Sequence, residues 1–437
     1  MQQPKLSVQA YKGTRDFYPE DMGLRSWMFN TMAKAAESFG YEPYDGPMLE
    51  AFELYAAKSG QELVTEQLYH FHDRGNRHVA IRPEMTPTVA RMVAARIHDL
   101  TQPIRWYSIP NLWRYERPQR GRLREHWQLN VDIFGPDGVI ADQEIIEVAI
   151  EIMNAFGAGP DDYEIRISNR RLLNFFLADI LQLDANGCAA VCRVIDKKDK
   201  VDEAAYFAML SETGLTEEKI SNLNAFTSLS IAEMATHPAS HSQGARELIQ
   251  LFEGLRLSDL SAYCRLDLGI VRGLDYYTGT VFEMFDKHPE NRRALFGGGR
   301  YDDLTGLFSN VPLPGVGFGM GDVTVMDFLK THNLLPELSP PFDIFFALTS
   351  QDDMRDVFHY AREFRRRGFR TATQLEPIKL NKQLKQANQR KIPFVALRGP
   401  DERARNLITV KNMFLGEQVT GSFDDVVARI TDWMACC

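Results

Sequence analysis

Apolar residues recur at intervals of three and four along residues 21–40, where Leu24, Trp27, Met28, Met32, Ala35, Ala36 and Phe39 share one face. That period predicts a helix, stopped by Gly40. An extended piece, GYEPYDGPMLE (40–50), follows. LYHFH (68–72) and HVAIRPE (78–84) flank DRGNR and read as a hairpin. Thr86, followed by Pro87, has the chemistry of an N-cap and first turn. Strands are expected over 104–116 and 125–134, and a helix over 141–156. Residues 171–262 turn helical throughout, as an inserted module would. Glycine-rich strand patterns return at 265–321, ending in GVGFGMGDVTVMDFL (315–329), read as a strand running into a helix capped by Asp322. KTHNLLPELSPP (330–341) is a proline-bearing linker. The remainder alternates strand and helix: FDIFFAL, a helix to Arg367, RTATQL, a helix over 378–390, IPFVALRG and LITVKNMF.

The segment HWQLNVDIF (126–134) carries more than fold. His126, Gln128, Asn130 and Asp132 alternate with Trp127, Leu129, Val131 and Ile133. Period two places the polar groups on one strand face and the apolar groups on the other. A solvent-facing strand would explain the polar face cheaply, but amides plus a carboxylate suit a small polar ligand.

Composition narrows the class. The 437 residues are 44% hydrophobic and 25% charged, as in an ordinary globular protein of two or three domains. No apolar run is long enough for a membrane span, and the polar N-terminus lacks the apolar core of a secretion signal. Five cysteines, the first at Cys188, form no disulfide framework, so a reduced, cytoplasmic protein is expected. The net charge is -9, yet residues 341–437 hold 16 Lys and Arg against 12 Asp and Glu. A basic module on an acidic body suggests a polyanionic partner; uneven surface charge is the plainer alternative.

Against that acidic background, RYERPQRGRLRE (114–125) holds Arg114, Arg117, Arg120, Arg122 and Arg124. Guanidinium groups bind phosphate through a planar fork, so the loop is a candidate phosphate site. RGLDYYTGTVFE (272–283) and FGGGRYDDL (296–304) add clustered Arg, Asp and Tyr beside glycines, where backbone can approach a ligand closely.

In this order, these pieces resemble histidyl-tRNA synthetases, a family of class II aminoacyl-tRNA synthetases, over nearly the whole chain. GYEPYDGPMLE is similar to motif 1, RPEMT to the family's R-P-E-x-T, RYERPQRGRLREHWQLNVDIFG to motif 2, and RGLDYY and GGGRYD to the two histidine signatures. LNKQLKQAN and VKNMF are similar to parts of the anticodon-binding domain. The resemblance implies an α+β fold: an antiparallel class II catalytic sheet with flanking helices over 1–330, the helical insertion at 171–262, a linker at 331–341, and an α/β anticodon-binding domain over 342–437. It implies that Arg114 and Arg272 are catalytic, gripping the α-phosphate of ATP, with Glu116 and Arg122 also on the nucleotide. It assigns Glu84, Thr86 and Gln128 to the substrate ammonium, Asp132 and Tyr277 to the imidazole, and Tyr301 to the same pocket. ATP is the implied co-substrate, with Mg2+ accompanying it and no protein-held metal. The implied partners are L-histidine, the histidine tRNA, contacted by Lys411 and Asn412, and a second copy in a homodimer, with no membrane.

One departure stands out. Motif 3 ordinarily ends G-x-E-R, but here the run is G-D-V-T-V, with Thr324 at the arginine position. The next cation, Lys330, is six residues on, about 600° around a helix, and points elsewhere. The surplus of loop arginines suggests that Arg120 or Arg122 takes the γ-phosphate instead. The same departure motivates a second reading, a non-ligating histidine sensor or regulatory subunit. A third would use His70, His72 and His78 as metal ligands.

Overall fold

A computed structural model describes residues 6–57, 63–198, 201–271, 276–291 and 294–435. The chain divides into two compact units, 1–336 and 337–437. In the first, the strands are β1 Glu42–Pro43, β2 Leu49–Ala51, β3 His70–His72, β4 His78–Ile81, β5 Ile104–Ser108, β6 Asn111–Trp113, β7 Glu125–Phe134, β8 Tyr163–Asn169, β9 Cys264–Leu266, β10 Thr280–Asp286, β11 Ala294–Arg300 and β12 Gly315–Gly321. Among the described residues the large sheet runs β1-β5-β7-β12-β11-β10-β8-β9, with β6 also paired to β7. It is antiparallel except for β1 on β5 and β8 on β9. A small sheet, β2-β4-β3, stands apart.

The alternation in β7 does what its period requires. Leu129, Val131 and Ile133 are buried in one cluster with Met28 and Met32 of helix Pro19–Ser38 and Ile145, Ile146 and Met153 of helix Val139–Ala155. Burying each such side chain is worth about 1.5–3 kcal/mol. The helices thereby cover one face of the sheet and leave the polar face of β7 for a site.

The glycines of β12 shape that face. The strand pairs with β7 so that Gly315, Gly317 and Gly319 oppose Phe134, Asp132 and Asn130. A Cβ at Gly319 would stand 2.7 Å from the Gln128 side chain, one at Gly317 would meet Asp132, and one at Gly315 would lie 2.6 Å from Tyr301. Only glycine lets these polar side chains lie over the neighbouring strand.

Two helix starts differ from expectation. Met85, not Thr86, is the N-cap of helix Thr86–Ala95. Gly321 is the N-cap of helix Asp322–Thr331, and Asp322 is its first residue. The Asp322 carboxylate is engaged elsewhere: Arg15 lies 2.7 Å away, and the Trp127 backbone N–H donates to it at 3.0 Å. The inserted region carries helices at Arg170–Phe175, Ala185–Ile195, Glu203–Glu212, Glu217–Thr227, Ile231–Thr236 and Gln243–Leu257.

The second unit holds β13 Ile344–Phe346, β14 Thr371–Thr373, β15 Phe394–Leu397, β16 Ile408–Asn412 and β17 Gln418–Gly421, in sheet order β14-β13-β15-β16-β17. Helices Met354–Arg366, Leu380–Gln389 and Phe423–Ala435 accompany them.

Candidate active site

A cleft of about 1070 Å³ opens on the polar face of β7. It is roomy enough for a nucleotide with a small second substrate. Arg114, Glu116, Arg120, Arg122, His126 and Gln128 line it, opposite the start of helix Asp322–Thr331. Asn130 and Asp132 continue the same face of β7 beyond Gln128.

The arginine loop is tied at its root and spread at its tip. The backbone N–H of Arg114 donates to the carbonyl of Arg124 at 2.9 Å, and Arg114 Nε donates to the carbonyl of Pro83 at 2.9 Å. Arg114 is thereby placed beside the Glu84 segment. Arg124 is spent on the loop itself: it lies over the Tyr115 ring at 4.1 Å, donates to the Glu116 carbonyl at 3.1 Å, and donates to the Tyr11 hydroxyl at 2.8 Å. Arg122 pairs with Glu116 at 3.3 Å. Arg120 crosses to helix Asp322–Thr331 and pairs with Asp327 at 2.9 Å. His126 lies in this cationic surround. Burial, then Arg114 and Arg15, push its imidazole down to about 3, so it is neutral at any working pH.

Thr324 faces this loop but does not replace a cation. Its hydroxyl donates to the carbonyl of Leu295 at 2.7 Å, with the Gly321 carbonyl 3.2 Å away.

A second cluster lies along the far end of β7. Asp132 is buried, and the Tyr301 hydroxyl donates to its Oδ1. Tyr301 packs edge-on to Tyr276, whose ring lies 4.9 Å from Tyr277 and whose hydroxyl donates to Glu84 at 3.1 Å. The chain Asp132–Tyr301–Tyr276–Glu84 therefore joins four sequence segments. Asp132 Oδ2 and the nearby Tyr44 hydroxyl are buried and make no hydrogen bond of good geometry, although the hydroxyl lies close enough to act on the carboxylate. Burial pushes the Asp132 carboxyl up to about 7, against the opposing effects of the Tyr301 and Tyr44 hydroxyls. A buried carboxylate between two phenols, with one oxygen in no well-formed hydrogen bond, suits a ligand that brings an N–H.

Arg300 has a supporting place: buried, it pairs with Asp142 at 2.6 Å and donates to the carbonyl of Gly138 at 3.0 Å. That ties β11 to the start of helix Val139–Ala155.

The structure thus brings together Arg114, Glu116, Arg122 and Gln128 in the cleft, and Glu84, Asp132, Tyr277 and Tyr301 with their aromatic neighbours. Thr86 is half-buried at the helix start two residues after Glu84. Arg272, expected as a catalytic group, lies outside the described residues. Sequence reasoning missed Tyr44 and Tyr276 as site residues. The second tyrosine of RGLDYY drew the attention, while Tyr276 makes the bond to Glu84. Asn412, expected to touch tRNA, is buried, and its Oδ1 accepts the backbone N–H groups of Phe414 and Leu415 at 3.0 Å each. Its side chain shapes the turn after β16. The histidines of the small sheet bond and stack with one another, His78 Nε2 lying 3.0 Å from His70 Nδ1. Among the described residues no group of three or more His, Cys, Asp or Glu is arranged to hold a metal ion.

Known proteins are similar to this chain over nearly its whole length. Residues 13–323 match the family model for histidyl-tRNA synthetase, and residues 347–433 match that for an anticodon-binding domain. The chain is 44% identical over 433 residues to the histidine–tRNA ligase of Leptospira biflexa serovar Patoc, covering 99% of each chain. It is 36% identical over 436 residues to that of Opitutus terrae, covering 98% of this chain and 99% of the other. In fold it is similar to the crystal structure of histidyl-tRNA synthetase from Nostoc sp. PCC 7120, with TM-score 0.82 and 24% identity, covering 98% of this chain and 100% of that one. A Bacillus halodurans structure titled as an ATP phosphoribosyltransferase regulatory subunit/histidyl-tRNA synthetase aligns with TM-score 0.74 and 23% identity, covering 88% of this chain and 97% of that one.

Proposed function

The chain belongs to the histidyl-tRNA synthetase family, and from that premise we propose that its cleft activates histidine with ATP and that Asp132 reads the imidazole. The chain ligates histidine to tRNA. A carboxylate oxygen of histidine attacks the α-phosphorus of ATP, the bond to the β-phosphate oxygen breaks, and pyrophosphate leaves. In the resulting histidyl-adenylate, a terminal ribose hydroxyl of the histidine tRNA attacks the acyl carbon, the mixed-anhydride bond breaks, AMP leaves with the hydroxyl proton, and histidine is esterified to the 3′ end.

Arg114 and Arg272 take the α-phosphate and offset the charge that builds during attack. Catalysis is then positioning and electrostatic stabilisation, with no covalent enzyme intermediate. Glu116 lies on the adenosine side, and Arg122 exchanges Glu116 for phosphate when ATP arrives. Mg2+ would accompany the nucleotide and would offset phosphate charge there. Glu84, Thr86 and Gln128 hold the histidine ammonium.

The observation that carries the substrate assignment is the buried Asp132 carboxylate, whose Oδ2 makes no hydrogen bond of good geometry. A carboxylate on one ring nitrogen and a phenol on the other use both ends of imidazole, which few amino acids can offer. Tyr277 serves as that phenol, with Tyr44 as the additional donor beside Asp132 and Tyr301 holding the carboxylate in place.

Catalysis belongs to residues 1–330, with the insertion at 171–262 toward the acceptor stem and 331–341 as linker. Residues 342–437 take the anticodon, with Lys411 among the tRNA contacts. The chain works as a cytoplasmic homodimer. Met48, Leu49 and Phe71, exposed around the small sheet that carries motif 1, support the dimer. No helix among the described residues is long and apolar enough to cross a membrane.

The test is charging. The pure protein is expected to attach labelled histidine, and no other amino acid, to histidine tRNA in the presence of ATP. Histidine binding without any charging would favour the sensor or regulatory reading.

A further inference from the structure

Arg120 sits at the tip of the loop, away from the Arg114 root. Its Nε donates to Asp327 Oδ2 at 2.9 Å, and its Nη2 donates to Asn291 Oδ1 at 3.0 Å. Asp327 lies three residues beyond Thr324 in the same helix, and a Cβ on Gly121 would stand 3.6 Å from Thr324. The loop tip therefore rests on the helix at the place where no cation is present in the helix itself. Arg120, Asp327 and Asn291 all line the cleft.

We propose that Asp327 is an internal stand-in for a phosphate: it parks Arg120 over the empty cleft, and ATP displaces it, so that Arg120 binds the β- and γ-phosphates. This rests on the function proposed above and adds a self-competition to it.

Both partners are partly exposed, with 56% of the Arg120 side chain and 34% of the Asp327 side chain accessible. An ion pair of this kind is weak enough to exchange. A triphosphate offers several charged oxygens to the same guanidinium fork, against one carboxylate. The parked state is a competing conformation, and it lowers apparent ATP affinity by the fraction of chains that occupy it. Arg120 is thus a phosphate-binding residue, and Asp327 is a positioning residue acting through it.

The two substitutions should have opposite signs. Arg120→Ala should raise the KM for ATP in histidine-dependent pyrophosphate exchange by about tenfold or more. Asp327→Asn, which keeps the shape and removes the charge, should lower that KM by about two- to fivefold. Asp327→Asn added to Arg120→Ala should change nothing further. The KM for histidine should stay constant, and AMP, which lacks the distal phosphates, should bind wild type and Arg120→Ala equally.

A merely structural pair would give the same sign in both variants, with a lowered Tm. Asp327→Asn that raises or leaves unchanged the KM for ATP overturns the proposal, as does Arg120→Ala that weakens AMP as much as ATP. A wild-type chain that binds histidine but shows no exchange overturns the proposed function and this inference with it.

Discussion

In the proposed function substrate choice turns on Asp132, and its environment makes a pH signature. Burial places its carboxyl near 7 in the free protein. It accepts an imidazole N–H as a carboxylate and loses that acceptor strength when protonated. The sign follows: affinity is full above about pH 7 and falls as pH drops through it. Between pH 8 and pH 6 the KM for histidine is expected to rise about tenfold, in proportion to the lost ionised fraction. In Asp132→Asn the steady-state profile should keep only the titration of free histidine itself. A wild-type profile that matches the Asn variant would remove Asp132 from recognition. At this scale the sequence was informative about residue types and poor about partners. Asp132 and Gln128 stood out through alternation, but Tyr44 lies in an extended segment with no pattern to mark it. Only the fold brings its hydroxyl near a carboxylate 88 residues away.

At the scale of elements, β7 and β12 act as one unit. β7 was legible to its ends, because period two and the glycine-bearing loop before it are local signals. The alternating glycines of β12 were visible too, but their reason was not: each gives room to a side chain of another strand. The misplaced cap at Asp322 has a similar cause, since its carboxylate is captured by Arg15, 307 residues away in sequence. Local propensity is overruled when a distant partner offers a charged hydrogen bond. The glycine argument predicts that Gly317→Ala is costly. Its Cβ would stand 2.5 Å from the Val131 carbonyl and would press on Asp132. The expected loss is about 1–3 kcal/mol of stability, with a raised KM for histidine and an unchanged KM for ATP. Calorimetry and steady-state kinetics on one preparation would check both; wild-type values throughout would mean that β12 does not shape the histidine site.

At the scale of the whole molecule, two units divide two kinds of recognition. The first carries the cleft, and the second is the more basic module, fitting a partner rich in phosphate. The family likeness spans both, so the order of motifs in sequence was enough to anticipate the architecture. The site was harder to read, because the arginines that looked equivalent in sequence have four different partners in space: the Pro83 carbonyl, Asp327, Glu116 and the Tyr115 ring. The most direct test of the account is histidine-dependent ATP–pyrophosphate exchange, with Arg114→Ala beside the wild type. Exchange is expected to require histidine and to fall by about 100-fold or more in the variant. Histidine bound with no exchange in the wild type would contradict it, and the chain would then be a sensor built on a synthetase fold.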